Sequence, residues 1–352
     1  MRRSTWAALT AVVLVVGLSV AAALQPVPYV TFSPGPTVNV LGKFDGKSII
    51  TVDGEKSYRD TGGLRLTTII PSGPADKISI PTLVTAWIDP DRAVYPYEAI
   101  YAKQDTRASV RQQSSQQMVS SQDNAVASAL GALDIRYRTA ARIDSVTADG
   151  PADGKLEPGD TVLSANGTQV SGLEDLTGVI RPLPVGGRVT MVVRRDGRRL
   201  TEVMRTVAAP DDPKASALRV TIAPSFDFPF EVKINLDENI GGPSGGLMFA
   251  MSIYDVLTPG SLTDGKVIAG TGEIDDQGKV GVIGGIQQKL VGAQSDGARL
   301  FLVPAGNCAE ALGGHYDPDK MRLVKVSTLE EGIEDVKAWV KNPDAKLARC
   351  TK

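Results

Sequence analysis

Ser244 stands in "GGPSGG" (Gly241–Gly246), a turn of glycines around one proline, directly ahead of the apolar run "LMFAMSIYDVL". A strand-like stretch, Phe230–Leu236, precedes the turn, and a helix from about Ser244 to Val256 follows it. A hydroxyl at a strand-to-helix turn is open to a substrate and lies beside unpaired N–H groups that can stabilise an oxyanion. Taken alone, the same serine also reads as the cap of a buried helix. A nucleophilic serine needs a base, and His315 is the only histidine, set in the turn-like "GGHYDPD". The remaining bases are a carboxylate or a lysine made neutral by burial. Lys289 lies 45 residues downstream in "GGIQQKLVGA", where it would be such a base if buried and a solvent-facing charge if not.

Two blocks together resemble the proteolytic domain of Lon-type serine proteases, which use a Ser-Lys dyad. "GGPSGG" with its apolar helix is similar to the nucleophile block, and "GTGEIDDQGKVGVIGGIQQKLVGA" to the block carrying the base. The resemblance implies catalytic Ser244 and Lys289, with Thr271 of "TGE" as a supporting hydrogen-bonding residue that orients the lysine. One position departs from the pattern: Gly241 stands where many Lon proteases carry an acidic residue, with Asp237 and Glu238 nearby. "GGLRLTTI" and "SSQQMVSSQDNAVASAL" look like the opening strand and first helix of the same domain. The helix reads from about Ser109 to Leu133.

Between these blocks the texture changes to short alternating runs separated by Gly, Pro and Asn-Gly turns, with one helix near Leu173–Ile180. The segment "DGPADGKLEPGDTVLSANGTQV" (Asp149–Val170), with "LEDLTGVI" and "GGRVTMVVRRDG", resembles a PDZ domain. That resemblance implies a groove beside the helix where a peptide adds as a strand. The candidate for its carboxylate-binding loop is "ALGALDIRY" (Ala129–Tyr137).

The N-terminus carries Arg2 and Arg3 ahead of 19 uncharged residues, Trp6–Leu24. Such a run spans a hydrocarbon core about 30 Å thick. Basic residues before it place the rest of the chain outside the cytoplasm. A cleaved signal peptide is the competing reading, and both export the body of the protein. Export allows Cys308 and Cys350, the two cysteines of the chain, to form a disulfide, with two free thiols as the alternative.

Composition excludes other classes. There are 38 basic and 40 acidic residues, well mixed, for a net charge of −2, and no basic stripe suited to nucleic acid. One histidine and no CxxC exclude a conventional metal site, so neither metal nor cofactor is expected. No phosphate loop is found. "GSLTDGKV" (Gly260–Val267) has Val267 where GxxxxGK[ST] needs a hydroxyl, so no nucleotide partner is expected.

The fold expected is α+β: a Lon-type proteolytic domain with an inserted β-rich PDZ-like domain, preceded by one N-terminal transmembrane helix. Its bounds are 1–27 for the cytoplasmic tip and anchor, 28–135 and 211–352 for the two parts of the protease domain, and 136–210 for the insertion. The resemblance implies an ATP-independent, membrane-anchored serine endopeptidase whose partners are protein or peptide substrates and, through the N-terminal helix, membrane lipid. A homo-oligomer, a hexameric ring, follows by family analogy alone. The alternatives are a non-catalytic PDZ adaptor on an inactive protease fold and a hydrolase triad built on His315.

Overall fold

The computed structural model describes residues 3–23, 25–59, 61–237 and 239–351. Arg2, Leu24 and Glu238, invoked above, lie outside the described residues. Helix α1 (Arg3–Ala23) has 21 residues, with Trp6, Leu9, Leu14 and Leu18 exposed. The side chains of Arg3, Ser4, Thr5, Ala7, Ala8, Ser19, Val20, Ala22 and Ala23 are not among those described. Among the described residues no helix is long and apolar enough to cross a membrane.

Two compact units divide the chain, Met1–Leu133 with Val232–Lys352, and Asp134–Glu231. The first opens with β1 (Pro26–Val27), β2 (Tyr29–Asn39), β3 (Ile50–Asp53) and β4 (Gly63–Pro71). Then come β5 (Ile78–Ser79), α2 (Ile80–Ile88), β6 (Ala93–Pro96) and the long α3 (Arg107–Ala132). Thr106 caps α3, its side chain accepting from the Ser109 amide while the Ser109 hydroxyl accepts from the Thr106 amide. That reciprocal pair starts the helix two residues ahead of the expected Ser109. Despite its Gln and Ser content, α3 buries Met118, Ala125, Val126, Ala129 and Leu130.

The second unit comprises β7 (Arg138–Val146), β8 (Thr161–Ala165), α4 (Leu173–Ile180), β9 (Arg188–Arg195), β10 (Arg198–Arg205) and β11 (Val220–Asp227). Its antiparallel sheet runs β10-β9-β8-β7-β11. The core alternates inward along each strand, as in Val189, Met191 and Val193 of β9. β11 is last in the chain yet pairs with β7, from Val220 opposite Val146 to Asp227 opposite Arg138. The unit therefore extends to Glu231 rather than ending at 210. Its closing strand is distant in sequence from its partner, so local pattern did not attach it.

The chain then returns to the first unit through β12 (Glu231–Ile234), which pairs with β3, and enters α5 (Gly246–Leu257). β13 (Val267–Gly270), β14 (Glu273–Ile274) and β15 (Val280–Gly281) lead to α6 (Ile286–Ser295). β16 (Leu300–Pro304), β17 (Arg322–Val326) and α7 (Leu329–Lys341) complete the unit. Its six-stranded sheet has the order β17-β16-β13-β4-β2-β6, parallel from β17 to β4 and antiparallel thereafter. All five residues of β16 are buried, as a parallel strand covered on both faces requires. Cys308 and Cys350 are joined by a disulfide with Cα atoms 5.0 Å apart, tying the C-terminal tail beside α6.

Candidate active site

Two helices and one strand end deliver the chemistry. α5 is wholly enclosed over Gly246–Ile253, which holds the turn before it in place. Gly246 is required by crowding: a Cβ there would lie 2.9 Å from both Ile274 Cγ2 and Ser121 Oγ. α3 grips this turn directly. Ser121 Oγ donates to Pro243 O at 3.0 Å, and Gly242 N donates to Ser114 O at 2.9 Å. Asn124 Nδ2 donates to Ile274 O at 3.1 Å, fixing the strand that follows Thr271 to the same helix. α6 meets the bulged part of β2, where a Cβ on Gly292 would be 2.7 Å from Gly35 O. This close seating turns the helix so that Lys289 faces inward.

Lys289 is 2% exposed, and its Nζ donates to Ser244 Oγ at 2.8 Å and to Thr271 Oγ1 at 2.8 Å. Thr271, fully buried, donates in turn to Ser244 O at 2.9 Å, and Gly272 N donates to the same carbonyl at 2.9 Å. The hydroxyl of Thr271 thus takes one lysine N–H and spends its own proton on the serine backbone, leaving the other face of Nζ to Ser244 Oγ. Burial pushes the Lys289 pKa down to about 7, against the opposing pull of the Glu273 carboxylate. At that value a neutral amine is populated near neutral pH and can accept the serine proton. Burial likewise raises the Glu273 carboxyl, with Lys289 lowering it.

The three residues singled out from the sequence, Ser244, Lys289 and Thr271, therefore converge. His315 does not join them: its Nδ1 lies 2.6 Å from Asp91 Oδ1 in an exposed pair. Ser121, Asn124 and Glu273 were not singled out. Ser121 and Asn124 act across more than a hundred residues of chain, whereas Glu273 was legible in "TGE" as a charge close to the lysine. The head of α5 needs a correction as an oxyanion site, since Gly246 N donates to Pro243 O and Leu247 N to Gly272 O. Among the described residues the amides of Ser244 and Gly245 make no such backbone bond, and these two remain for an oxyanion. The Gly241 departure has a steric cause, because a Cβ there would sit 2.9 Å from Ser114 Cβ. Asp237 does not substitute, as its Oδ1 accepts from Asn239 N and Nδ2, both at 2.8 Å.

Beside the nucleophile turn, α3 together with Ile234, Leu236, Asp237 and Ile240 lines a groove of about 290 Å³. Met118, Val119, Ile234, Leu236 and Ile240 line it together with Arg111, Ser115, Gln122 and Asp237, so its wall is mixed.

The family model of the Lon protease (S16) C-terminal proteolytic domain matches residues 199–336, which contain Ser244, Thr271 and Lys289. That of the PDZ domain matches 114–203. The two matches together support a PDZ-containing Lon-like protease whose proteolytic segment is similar to a serine peptidase. Lon protease of Phenylobacterium zucineum is 33% identical over 171 residues, covering 43% of this chain and 21% of that protein. Lon protease of Azospirillum brasilense is 32% identical over 183 residues, covering 46% and 22%. Lon protease of Azorhizobium caulinodans is 30% identical over 202 residues, covering 54% and 22%. The chain thus spans about a fifth of the length of these relatives.

In the inserted unit a second groove, of about 400 Å³, lies between α4 and β11. Leu173, Leu176 and Ile180 face Leu218, Val220 and Ile222 across it. β11 is an edge strand, open to strand addition on the side away from β7. The loop entering this strand is residues 207–219, not Ala129–Tyr137. Ala129–Ala132 form the last turn of α3 in the other unit.

Proposed function

We propose that the chain is a serine endopeptidase in which Ser244 is the nucleophile and Lys289 the general base. One observation carries the reading: a lysine buried to 2% exposure holds Nζ 2.8 Å from the oxygen of a half-buried serine at the head of a helix. Neutral Lys289 removes the Ser244 proton as Oγ attacks a peptide carbonyl. The amides of Ser244 and Gly245 receive the oxyanion, and Lys289 returns the proton to the leaving amine. Water activated by the same lysine then hydrolyses the acyl-enzyme. The groove walled by Met118 and Ile240 receives a substrate side chain next to the scissile bond.

The finer features of the proposal rest on the sequence. ATP independence is supported by the lack of a phosphate loop. Lys266 of "GSLTDGKV" is also committed elsewhere, donating to Val340 O and lying 5.5 Å over the Trp339 ring. An anchor in the membrane, with both units outside the cytoplasm, is supported by the uncharged run 6–24 behind Arg2 and Arg3. Substrates are then exported or membrane proteins, recruited by an extended segment added to β11, and the assembly is the hexameric ring of Lon-like proteases.

The test is cleavage of an unfolded protein by the full chain in detergent, without ATP, beside Ser244→Ala and Lys289→Ala. The proposal expects cleavage by the wild type and none by either variant. A folded wild type that cuts nothing would favour the adaptor, and undiminished cleavage by Lys289→Ala would remove the dyad.

A further inference from the structure

The first unit carries an apolar surface that the dyad does not use. Helix α2, "IPTLVTAWI", contains no charged residue. Its exposed large apolar side chains Ile80, Val84, Trp87 and Ile88 fall at i, i+4, i+7 and i+8, a single stripe, beside the exposed polar Thr82 and Thr85, while Ala86 is buried. Trp87 and Ile88 are each 78% exposed. Large apolar side chains left in water on one contiguous stripe mark a contact surface.

Chain continuity identifies what this stripe meets. α1 ends at Ala23, and three residues later β1 begins. β1 pairs with β5, Pro26 opposite Ser79 and Val27 opposite Ile78, and α2 starts at the next residue, Ile80. Hydrogen bonds therefore hold the first turn of α2 beside the point where the chain leaves α1. Lys77, just ahead of β5, is exposed and has no ion pair among the described residues. Asp89 and Arg92, just beyond α2, pair with each other. An uncharged apolar stripe carrying a tryptophan, with an exposed ammonium beside the helix, has the side-chain types that a membrane interface takes up.

We infer that α2 is a membrane-interfacial helix, lying in the plane of the lipid with Ile80, Val84, Trp87 and Ile88 set into the headgroup–acyl boundary. This inference rests on the anchor reading of α1. Together α1 and α2 make two attachments at one end of the first unit, which fixes its tilt on the membrane and not merely its distance.

Trp87 reports on this directly, since of the other two tryptophans Trp339 is buried and Trp6 can be changed to Phe. Full chain Trp6→Phe is reconstituted into phosphatidylcholine–phosphatidylglycerol vesicles, with phosphatidylcholine brominated near either the glycerol end or the methyl end of its chains. Trp87 emission is the difference between this protein and Trp6→Phe/Trp87→Phe. The inference expects a blue shift on reconstitution and strong quenching by the shallow bromines, weaker by the deep ones. Val84→Asp/Ile88→Asp should abolish both while leaving the far-ultraviolet circular dichroism unchanged. Trp87 left unquenched in chains that resist alkaline carbonate extraction would overturn the interfacial helix and keep the anchor. Quenching in chains that carbonate extracts would do the reverse. Trp87 unquenched, with cysteines placed at position 88 cross-linking between copies, would assign the stripe to a second chain and also overturn it.

Discussion

The Lys289–Glu273 relation makes a quantitative claim about the acid limb of activity. Only neutral Lys289 accepts the Ser244 proton, and its pKa is pushed down to about 7. The ratio kcat/KM, which reports the free enzyme, should thus fall about tenfold for each pH unit below 7, to roughly a tenth of its plateau at pH 6. Glu273 supplies the pull that raises the lysine, so Glu273→Gln should shift the midpoint to lower pH and leave the variant nearer its own plateau at pH 6. Glu273 is a solvent-accessible residue whose carboxyl is only partly desolvated, so this difference should shrink as salt is added. Stability carries the same signature. Folded Lys289 titrates below its unfolded value, so the unfolded state holds the extra proton between about pH 7 and 10.5. Burial of the lysine destabilises the fold by on the order of 5 kcal/mol below pH 7, and the cost vanishes as pH rises through that window. The assay is a quenched fluorogenic peptide at concentrations far below KM, with the full chain in detergent at fixed ionic strength from pH 5 to 9. A flat profile over that range, or a Glu273→Gln midpoint moved upward, would refute the lysine base.

Thr271→Val removes the acceptor for one Lys289 N–H and the donor to Ser244 O; kcat should fall about 10–100-fold with little change in KM, and Thr271→Ser should restore most of it. The Cys308–Cys350 disulfide closes a separation of 42 residues, so Cys308→Ser/Cys350→Ser should lose about 4 kcal/mol in urea unfolding. Maleimide should label no wild-type cysteine until reductant is added; labelling beforehand would contradict the pairing. Gly241→Asp drives its Cβ against Ser114, so it should destabilise the chain by about 1–3 kcal/mol and impair cleavage. Ser114→Gly should relieve part of both effects, and a Gly241→Asp chain as stable as wild type would show that α3 yields easily.

What was legible in the sequence was the chemistry carried by short blocks. The helix at Leu173–Ile180 appears at the expected residues, and the nucleophile helix starts within two of them, because turn residues and apolar periodicity are local signals. Ser244 and Lys289 were found as a pair from two family-like blocks; neither residue alone separates a catalytic group from a helix cap or a solvent-facing amine. The depth of Lys289 could not be read locally. It depends on how closely α6 meets the bulge of β2 at Gly35, a contact between segments over 250 residues apart. The same limit hid β11, whose partner β7 lies on the far side of seven other elements of its unit.

A separate set of long-range contacts converges on α3, which explains how the first unit accommodates a unit of nearly a hundred residues inserted at Asp134–Glu231. Ser114, Ser121 and Asn124 tie α3 to the nucleophile turn and to the strand after Thr271, all before the chain leaves at Leu133. On its return the chain pairs as β12 with β3, a strand that also precedes the insertion. Site geometry is thus set by elements that meet one another within the first unit, and the crossing point carries none of the dyad's hydrogen bonds. Changes confined to the β11 groove should accordingly alter which substrates are cut while leaving the pH profile of Lys289 in place.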